Sequence, residues 1–334
     1  MDETFENRPI LDSQTLRVLK QRRDLPSLLR LTLHLGAFFL GATCVVLVSR
    51  SPILASASGL LLAAIWAALF APFHECTHLT AFRSRQLNVL GAWLTGPLFG
   101  FSPSVYRAFH FAHHRYTHDP ERDPEILAAP ERLASWPEGT FAWLGQISGI
   151  GDLRLKSELM LKFSLLPASR WNSIAPWAPQ DQRSRMAWET RLVALSWLAL
   201  GAVAMVGIRG TRWLVLAAIL SNSFQALWLT TEHKGLPSEG TILERTRTLQ
   251  TSAFVRWWLW NMNYHAEHHA WPAVPWHCLP AVHRQVVGYL DHVATGYGRL
   301  QLKVLWRRNL PDGVIRLEQN PCPRSKRRFL SKLP

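Results

Sequence analysis

Four apolar runs interrupt this chain, and the way they pair limits the folds open to it. Leu31 to Val48, Pro52 to Ala71, Leu192 to Ile208 and Trp213 to Thr231 each approach the ~20 residues that a helix needs to cross a bilayer, the third being short. Only Ser49 to Ser51 separate the first two, and only Arg209 to Arg212 separate the last two. Such short links imply antiparallel neighbours. The runs therefore predict two helical hairpins, each returning the chain to the side it left. Residues 1–30 form an N-terminal segment in this reading, 31–310 the membrane domain, and 311–334 a basic, Pro-containing tail expected to be poorly ordered.

The net charge of +14 fits either a phosphate-binding protein or a membrane protein whose basic residues crowd one face. The apolar runs decide for the second, and no nucleic-acid-binding signature accompanies the charge. Arg17, Lys20, Arg22, Arg23 and Arg30 precede the first run. Arg83, Arg85, Arg107, Arg115, Arg154 and Lys156 lie between the hairpins, and RSKRR closes the tail. The hairpin count puts all three segments on one side, which the positive-inside rule makes cytoplasmic, termini included. Arg209 and Arg212 on the other side weaken that bias without reversing it. The first 29 residues have no short apolar core, so no cleavable signal peptide is expected.

Smaller features fill in the remainder. Asn88 to Phe101, broken by Gly91, Gly96, Pro97 and Gly100, is too short to span and reads as an interfacial or re-entrant helix. Trp136, Trp143, Trp171 and Trp177 suit either the headgroup zone or the interior of a cap. SAFVRWWLW (252–260) reads as a helix docked along the membrane surface. Cys44, Cys76, Cys278 and Cys322 show neither a metal-ligand spacing nor a disulfide framework; Cys44 and Cys76 read as packing residues.

Histidine placement carries the chemistry. His74 and His78 sit in HECTH, His110, His113, His114 and His118 in HFAHHRYTH, and His265, His268 and His269 in HAEHH. His233 stands alone after the fourth run. Residues three and four apart share a helical face, so three helices each present two or more imidazoles. Neutral imidazoles packed together without a metal waste hydrogen-bonding capacity, and protonated ones repel. One metal site is therefore expected, and by the hairpin count all of it faces the cytoplasm. The fold expected is all-α and integral to the membrane, with four transmembrane helices in two hairpins and a cytoplasmic helical cap carrying a histidine-rich di-metal site. So many imidazoles exceed the four ligands of zinc and suit two ions, while imidazole itself accepts iron, copper, nickel or zinc.

HECTH, HFAHH and NYHAEHH, in that order between apolar spans, resemble the three histidine boxes of the membrane fatty acid desaturase family. DPERDPE (119–125) after the second box and WNMNYHAEHHAWPAVPW (260–276) around the third strengthen the likeness, which covers 60–285. The resemblance implies His74, His78, His110, His113, His114, His265, His268 and His269 as iron ligands, and His233 as a ninth. It implies two iron ions, O2 as co-substrate, a fatty acyl lipid or thioester as substrate, and a separate electron donor of the ferredoxin or cytochrome b5 type. The reaction implied is desaturation, with hydroxylation or another oxygenation of a lipid or small hydrophobic substrate as the alternative. Some members place an asparagine one turn before the extra histidine; here that position is Leu229, and Asn263 stands as a substitute.

Carboxylates usually take the outer nitrogen of a ligating histidine, and Asp119 or Asp123, with Glu267, are expected in that role. A solvated acidic turn is the other reading of DPERDPE. His118 is either such a partner or exposed, with exposure favoured. HECTH also spells the metalloprotease HExxH, but the other two boxes argue against a protease. A metal transporter would need polar residues in its spans. These hold few, His34 in the first and Asn222 and Gln225 in the fourth.

Overall fold

The computed structural model describes residues 10–128 and 135–306; the tail at 311–334 and Cys322 lie outside them. The described chain is mostly helical, with one parallel pair of short strands, Thr248–Gln250 and Val293–Thr295. Three helices, Asp24–Leu47, Pro52–His78 and Thr211–His233, are long and apolar enough to cross a membrane. The run at 192–208 falls largely in a fourth long helix, Arg183–Met205. Arg183, Arg185, Glu189 and Arg191 occupy its first half, so its apolar stretch is short for a bilayer. Those charges have local work. Glu189 accepts from the backbone and hydroxyl of Ser104 (3.2 and 2.5 Å), at the start of the helix Pro103–Tyr116, and pairs with Arg185 at 2.6 Å. A carboxylate at a helix N-terminus satisfies amides that have no partner within the helix.

Large apolar side chains stay exposed along these helices, among them Leu33, Phe39, Leu40, Ile53, Leu60, Leu61, Leu195, Leu198 and Ile219. Apolar surface on this scale marks contact with lipid or protein rather than water. Cys44 is exposed on this surface, contrary to the packing role its sequence context suggests, whereas Cys76 is buried. An ideal Cβ on Gly91 would lie 2.6 Å from Cys76 Sγ, so glycine lets the helix Arg85–Thr95 approach the second long helix. That helix and the 3-10 turn Gly96–Phe99 make up the interrupted apolar segment, with Val89, Leu90 and Leu94 exposed.

The second long helix breaks at Leu69, between Pro52–Ala68 and Phe70–His78. Pro72 accounts for the break. It has no N–H to donate to the Ala68 carbonyl, and its ring crowds that oxygen. The helix ends where Leu79 turns left-handed (φ 61). The third box is delivered by a sharper turn, Trp260 and Asn261 both having positive φ, with Trp260 wholly buried. Ahead of it, the helix Ala253–Trp258 exposes Phe254 and stacks Trp257 and Trp258 on His34 (5.2 and 4.5 Å).

Helices Thr140–Ile147 and Ile150–Leu165 are joined at Ser148–Gly149, a turn that meets the midpoint of Thr211–His233. Ser223 Oγ donates to the Ser148 carbonyl at 2.7 Å. Trp171 is fully buried against Phe163 (4.6 Å), Trp177 lies between Phe109 and Phe163, and Trp136 is buried. Interior packing therefore describes these residues better than a headgroup position. Gly149 has φ 71, and a Cβ there would sit 2.3 Å from the Asn222 carbonyl carbon. Gly149→Ala is expected to cost at least about 1 kcal/mol in backbone strain alone. A thermal melt of the detergent-solubilised protein should show a lower Tm; an unchanged Tm would contradict this close approach.

Candidate metal centre

The three boxes sit on three short helical stretches whose spacing dictates which imidazoles meet. On a helix each residue advances about 100°, so i and i+4 lie about 40° apart while i+3 points elsewhere. His110 and His114 (i, i+4) point one way, with His74, His78 and His268; these five ligand nitrogens lie within 4.8 Å of one another. His113 points the other way, to His233 and His269, which form a second set with it. The third box divides inversely. His265 and His269 (i, i+4) face the second set, His265 Nε2 lying 2.8 Å from His233 Nε2, while His268 faces the first. The eight box histidines and His233, the ninth that the resemblance implies, thus converge, as five and four.

In the first set the Nε2 atoms run in a chain of close approaches: His74 to His268 2.7 Å, His268 to His78 3.1 Å, His78 to His110 2.9 Å and His110 to His114 2.9 Å. Only one proton fits between two such nitrogens. A cation accepts every lone pair at once, which makes a metal the partner these groups fit. His269 Nε2 is buried without any hydrogen-bond partner, as expected of a nitrogen aimed at an ion.

The outer nitrogens of the second set fix its tautomers. His113 Nδ1 lies 3.0 Å from Asp123, so its proton points outward. Thr117 Oγ1 donates to the His113 carbonyl (2.8 Å) and can then accept from His269 Nδ1 at 3.3 Å. His118 Nδ1 meets the Pro237 carbonyl at 2.8 Å and must donate. Its Nε2 therefore accepts from His233 Nδ1, 3.1 Å away. His265 Nδ1 faces Glu232 at 3.5 Å. The Nδ1 atoms of His113, His233 and His269 are thus engaged from outside, which turns their Nε2 atoms inward. In the first set the corresponding carboxylate is Glu75, whose Oε1 lies 4.0 Å from His268 Nδ1 and whose Oε2 accepts from Thr80 at 2.9 Å.

Burial, reinforced by neighbouring imidazoles, pushes His110, His114, His265 and His269 well below the ordinary histidine range. Burial and then the charge of His113 hold His268 down to about 3. These rings are neutral near pH 7, the form that ligates. His113 differs: burial opposes its charge, but Asp123 and then Glu125 outweigh it and lift the ring to about 9.

Outside the nine, the placements differ from expectation. Asp123 does meet a box imidazole, whereas Asp119 engages Arg122 (2.6 Å) and its own turn. Glu267 takes the Thr248 hydroxyl and His283 Nδ1, neither belonging to the two sets. Asn263 donates to the Leu249 carbonyl at 2.9 Å and accepts from no imidazole. His118, expected to be exposed, is fully buried with φ 67. Glu75, Glu232, Thr117 and His118 are the partners that spacing alone did not select. Glu75 adjoins His74 and Glu232 adjoins His233 in sequence, which is the signal that could have found them.

The family model described as "Fatty acid desaturase" matches residues 51–300. A sphingolipid delta(4)-desaturase/C4-monooxygenase of Homo sapiens is 26% identical over 76% of this chain and 70% of its own length. A sphingolipid delta(4)-desaturase of Drosophila melanogaster is 28% identical, over 76% of this chain and 71% of its own. Fatty acid desaturase 3 of Bos taurus is 24% identical over 61% of this chain, which spans about half (48%) of that relative.

Asp123→Ala should lower metal affinity by roughly 10–100-fold, the usual cost of losing the carboxylate behind a ligating imidazole. Elemental analysis of the purified variant at limiting metal checks it, and full loading would remove Asp123 from this role.

Proposed function

The chain belongs to the fatty acid desaturase family, and from that membership we propose that it is a membrane-bound, O2-dependent di-iron desaturase of fatty acyl chains. The observation that carries this reading is the division of nine inward-facing imidazoles into sets of five and four. In this reading His74, His78, His110, His114 and His268 hold one iron and His113, His233, His265 and His269 the other. Bound iron would supply the O2 activation needed to take hydrogen from an unactivated carbon. Burial keeps His110, His114, His265, His268 and His269 neutral, while Asp123, Thr117 and His118 aim rings of the second set, with Glu232 beside His265 and Glu75 beside His268. Phe70, packed edge-on to His74 at 6.4 Å, gives the centre an apolar neighbour suited to a methylene chain.

Overall, the substrate loses two hydrogens to form a C=C bond, and O2, two electrons and two protons complete two waters. The electrons would come from a separate ferredoxin or cytochrome b5 type donor. The basic residues flanking the first helix suit an acidic surface on it. Hydroxylation is the second reading, favoured by the human relative whose name joins a desaturase to a C4-monooxygenase. It consumes the same O2, electrons and protons but leaves one oxygen on the substrate. The two outcomes differ by small shifts in substrate placement.

We place the protein in the membrane with four spans in two hairpins, the fourth long helix Arg183–Met205 serving as the third span. Its exposed Leu192, Leu195, Leu198 and Met205 support that. The two hairpin links lie together, as Arg209 Nη2 donates to the Leu47 carbonyl at 2.8 Å. Arg212 likewise donates to Ala204 O at 3.1 Å. Both arginines thus serve helix C-termini, where cations are favoured, which reconciles them with a cytoplasmic centre and cytoplasmic termini. The working division remains 1–30, 31–310 and 311–334.

Lipid profiling of a host expressing the chain should reveal a new unsaturated or hydroxylated acyl lipid that His268→Ala abolishes. Purified His268→Ala and His113→Ala should each lose bound iron. A variant with wild-type product yield and iron content would overturn the ligand assignment.

A further inference from the structure

The helix Pro103–Tyr116 turns its ligating histidines inward, and its outer face carries Arg107, Phe111 and Arg115 at four-residue spacing. Phe111 is 41% exposed. On its inner side the ring packs on the His78 imidazole, with centroids 5.2 Å apart and planes 36° apart. Among the described residues, the other two aromatic side chains that contact a box imidazole are Phe70 on His74 and Tyr106 on His110, and both are buried. Of these three, Phe111 alone reaches both the first imidazole set and the outside of the protein.

The surroundings of Phe111 are cationic. The Arg107 guanidinium lies over the ring, 4.3 Å from its centroid. It also donates to the carbonyl of Thr77, the residue before His78. Arg107 therefore pins the ring against the imidazole. Burial first, and then the charge of Arg85, lowers Arg107 below the usual arginine range, so the two cations lie within electrostatic reach of each other. Arg85 is exposed at the start of the helix Arg85–Thr95, and Arg115 is exposed one turn beyond Phe111. Among the described residues, no carboxylate forms an ion pair with Arg85 or Arg107. Asp24, which anchors this segment, accepts from the backbone amides of Arg83 and Ser84 at 2.8 and 3.2 Å. Asp24 opens the first long helix, so the patch adjoins Arg22 and Arg23, also exposed. Like charges gathered this way create a positive field that favours an acidic partner.

We propose that Phe111 and its arginine rim are the docking point of an acidic one-electron carrier protein, whose electrons enter the first imidazole set through the contact between Phe111 and His78. This placement rests on the di-iron desaturase reading and gives its electron donor a site. An exposed aromatic ring inside a charged rim is the form that energetic centres take at protein interfaces. Arg85 and Arg115 steer the carrier's carboxylates, and Phe111 seats in the apolar centre of its contact surface. A lipid headgroup would occupy the arginines but would make no use of an aromatic path to a ligand ring. Each encounter moves one electron. The carrier is oxidised by one, the ion held by the first set is reduced by one, and no bond of Phe111 forms or breaks. Two encounters supply the two electrons that desaturation or hydroxylation consumes.

Binding is measured first, on the full-length protein in phosphatidylcholine nanodiscs. The probes are two acidic carriers, a plant-type ferredoxin and the soluble haem domain of a cytochrome b5. The wild type should bind at least one of them, more weakly as salt rises. Phe111→Ser should weaken that binding roughly tenfold, as should Arg85→Glu combined with Arg115→Glu. Reversing Arg154 and Lys162, exposed on the helix Ile150–Leu165, changes the net charge equally and should weaken it far less. Anaerobic stopped-flow at saturating carrier then isolates the transfer step. Oxidation of the carrier by iron-loaded Phe111→Ser should be severalfold slower than by the wild type, and an unchanged rate overturns the entry route. Failure of the wild type to bind either carrier overturns the docking point. So does an affinity that survives both changes, or a loss that the Arg154 and Lys162 reversals match. A loss seen only in discs containing phosphatidylserine assigns the patch to headgroups and overturns it too. An active desaturase whose donor binds every variant equally would refute this inference alone. A chain that makes no product yet loses the carrier in these variants would keep the docking point and refute the desaturase reading.

Discussion

The arrangement depends on the mismatch between a helical turn and a three-residue step. Two of the boxes place histidines at i, i+3 and i+4, and no helix can point all three at one spot. The i, i+4 pair goes to one set and the remaining ring to the other. The second box gives its pair to the first set, and the third box gives its pair to the second. Nine nitrogens, eight of them on buried residues, then face inward with too few protons to bridge them. The turns at Leu79, His118 and Trp260–Asn261 fix where each box helix starts or stops.

Much of this was legible in the chain. Spacing selected eight of the nine histidines that meet, because helical periodicity is local and the boxes are helical; His233 came only from the resemblance. The partners behind them were harder to read, because a carboxylate reaches an imidazole through tertiary packing. Within DPERDPE, Asp119 and Asp123 look equivalent, yet the turn sends the first to Arg122 and the second to His113. His118 follows His114 by four residues and would share its face if the helix continued. The helix stops at Tyr116, and a left-handed residue turns the ring back to His233 instead. Glu232 and Glu75 carried no signal beyond adjacency to a histidine.

The apolar runs predicted the long helices well where no charge interrupted them. At Arg183–Met205 the helix begins nine residues before the apolar run, because Arg183, Arg185, Glu189 and Arg191 each find a partner near its N-terminal half. Hydropathy registers those residues as a boundary, whereas backbone hydrogen bonding continues through them. The tryptophans of the connecting segment illustrate the converse: their amphipathic rings suit an interface, but Trp171 is spent on the interior of the cap.

The helices Pro103–Tyr116 and His265–Ala270 each carry nitrogens belonging to both sets, so neither set owns a scaffold of its own. They behave as gears on shared shafts. Rolling either helix about its axis swings one group of rings toward its centre as the other swings aside. Any drift in sequence that retunes one centre through these helices is therefore felt at its twin. An independent adjustment is left only to His74 and His78 on one side and His233 on the other.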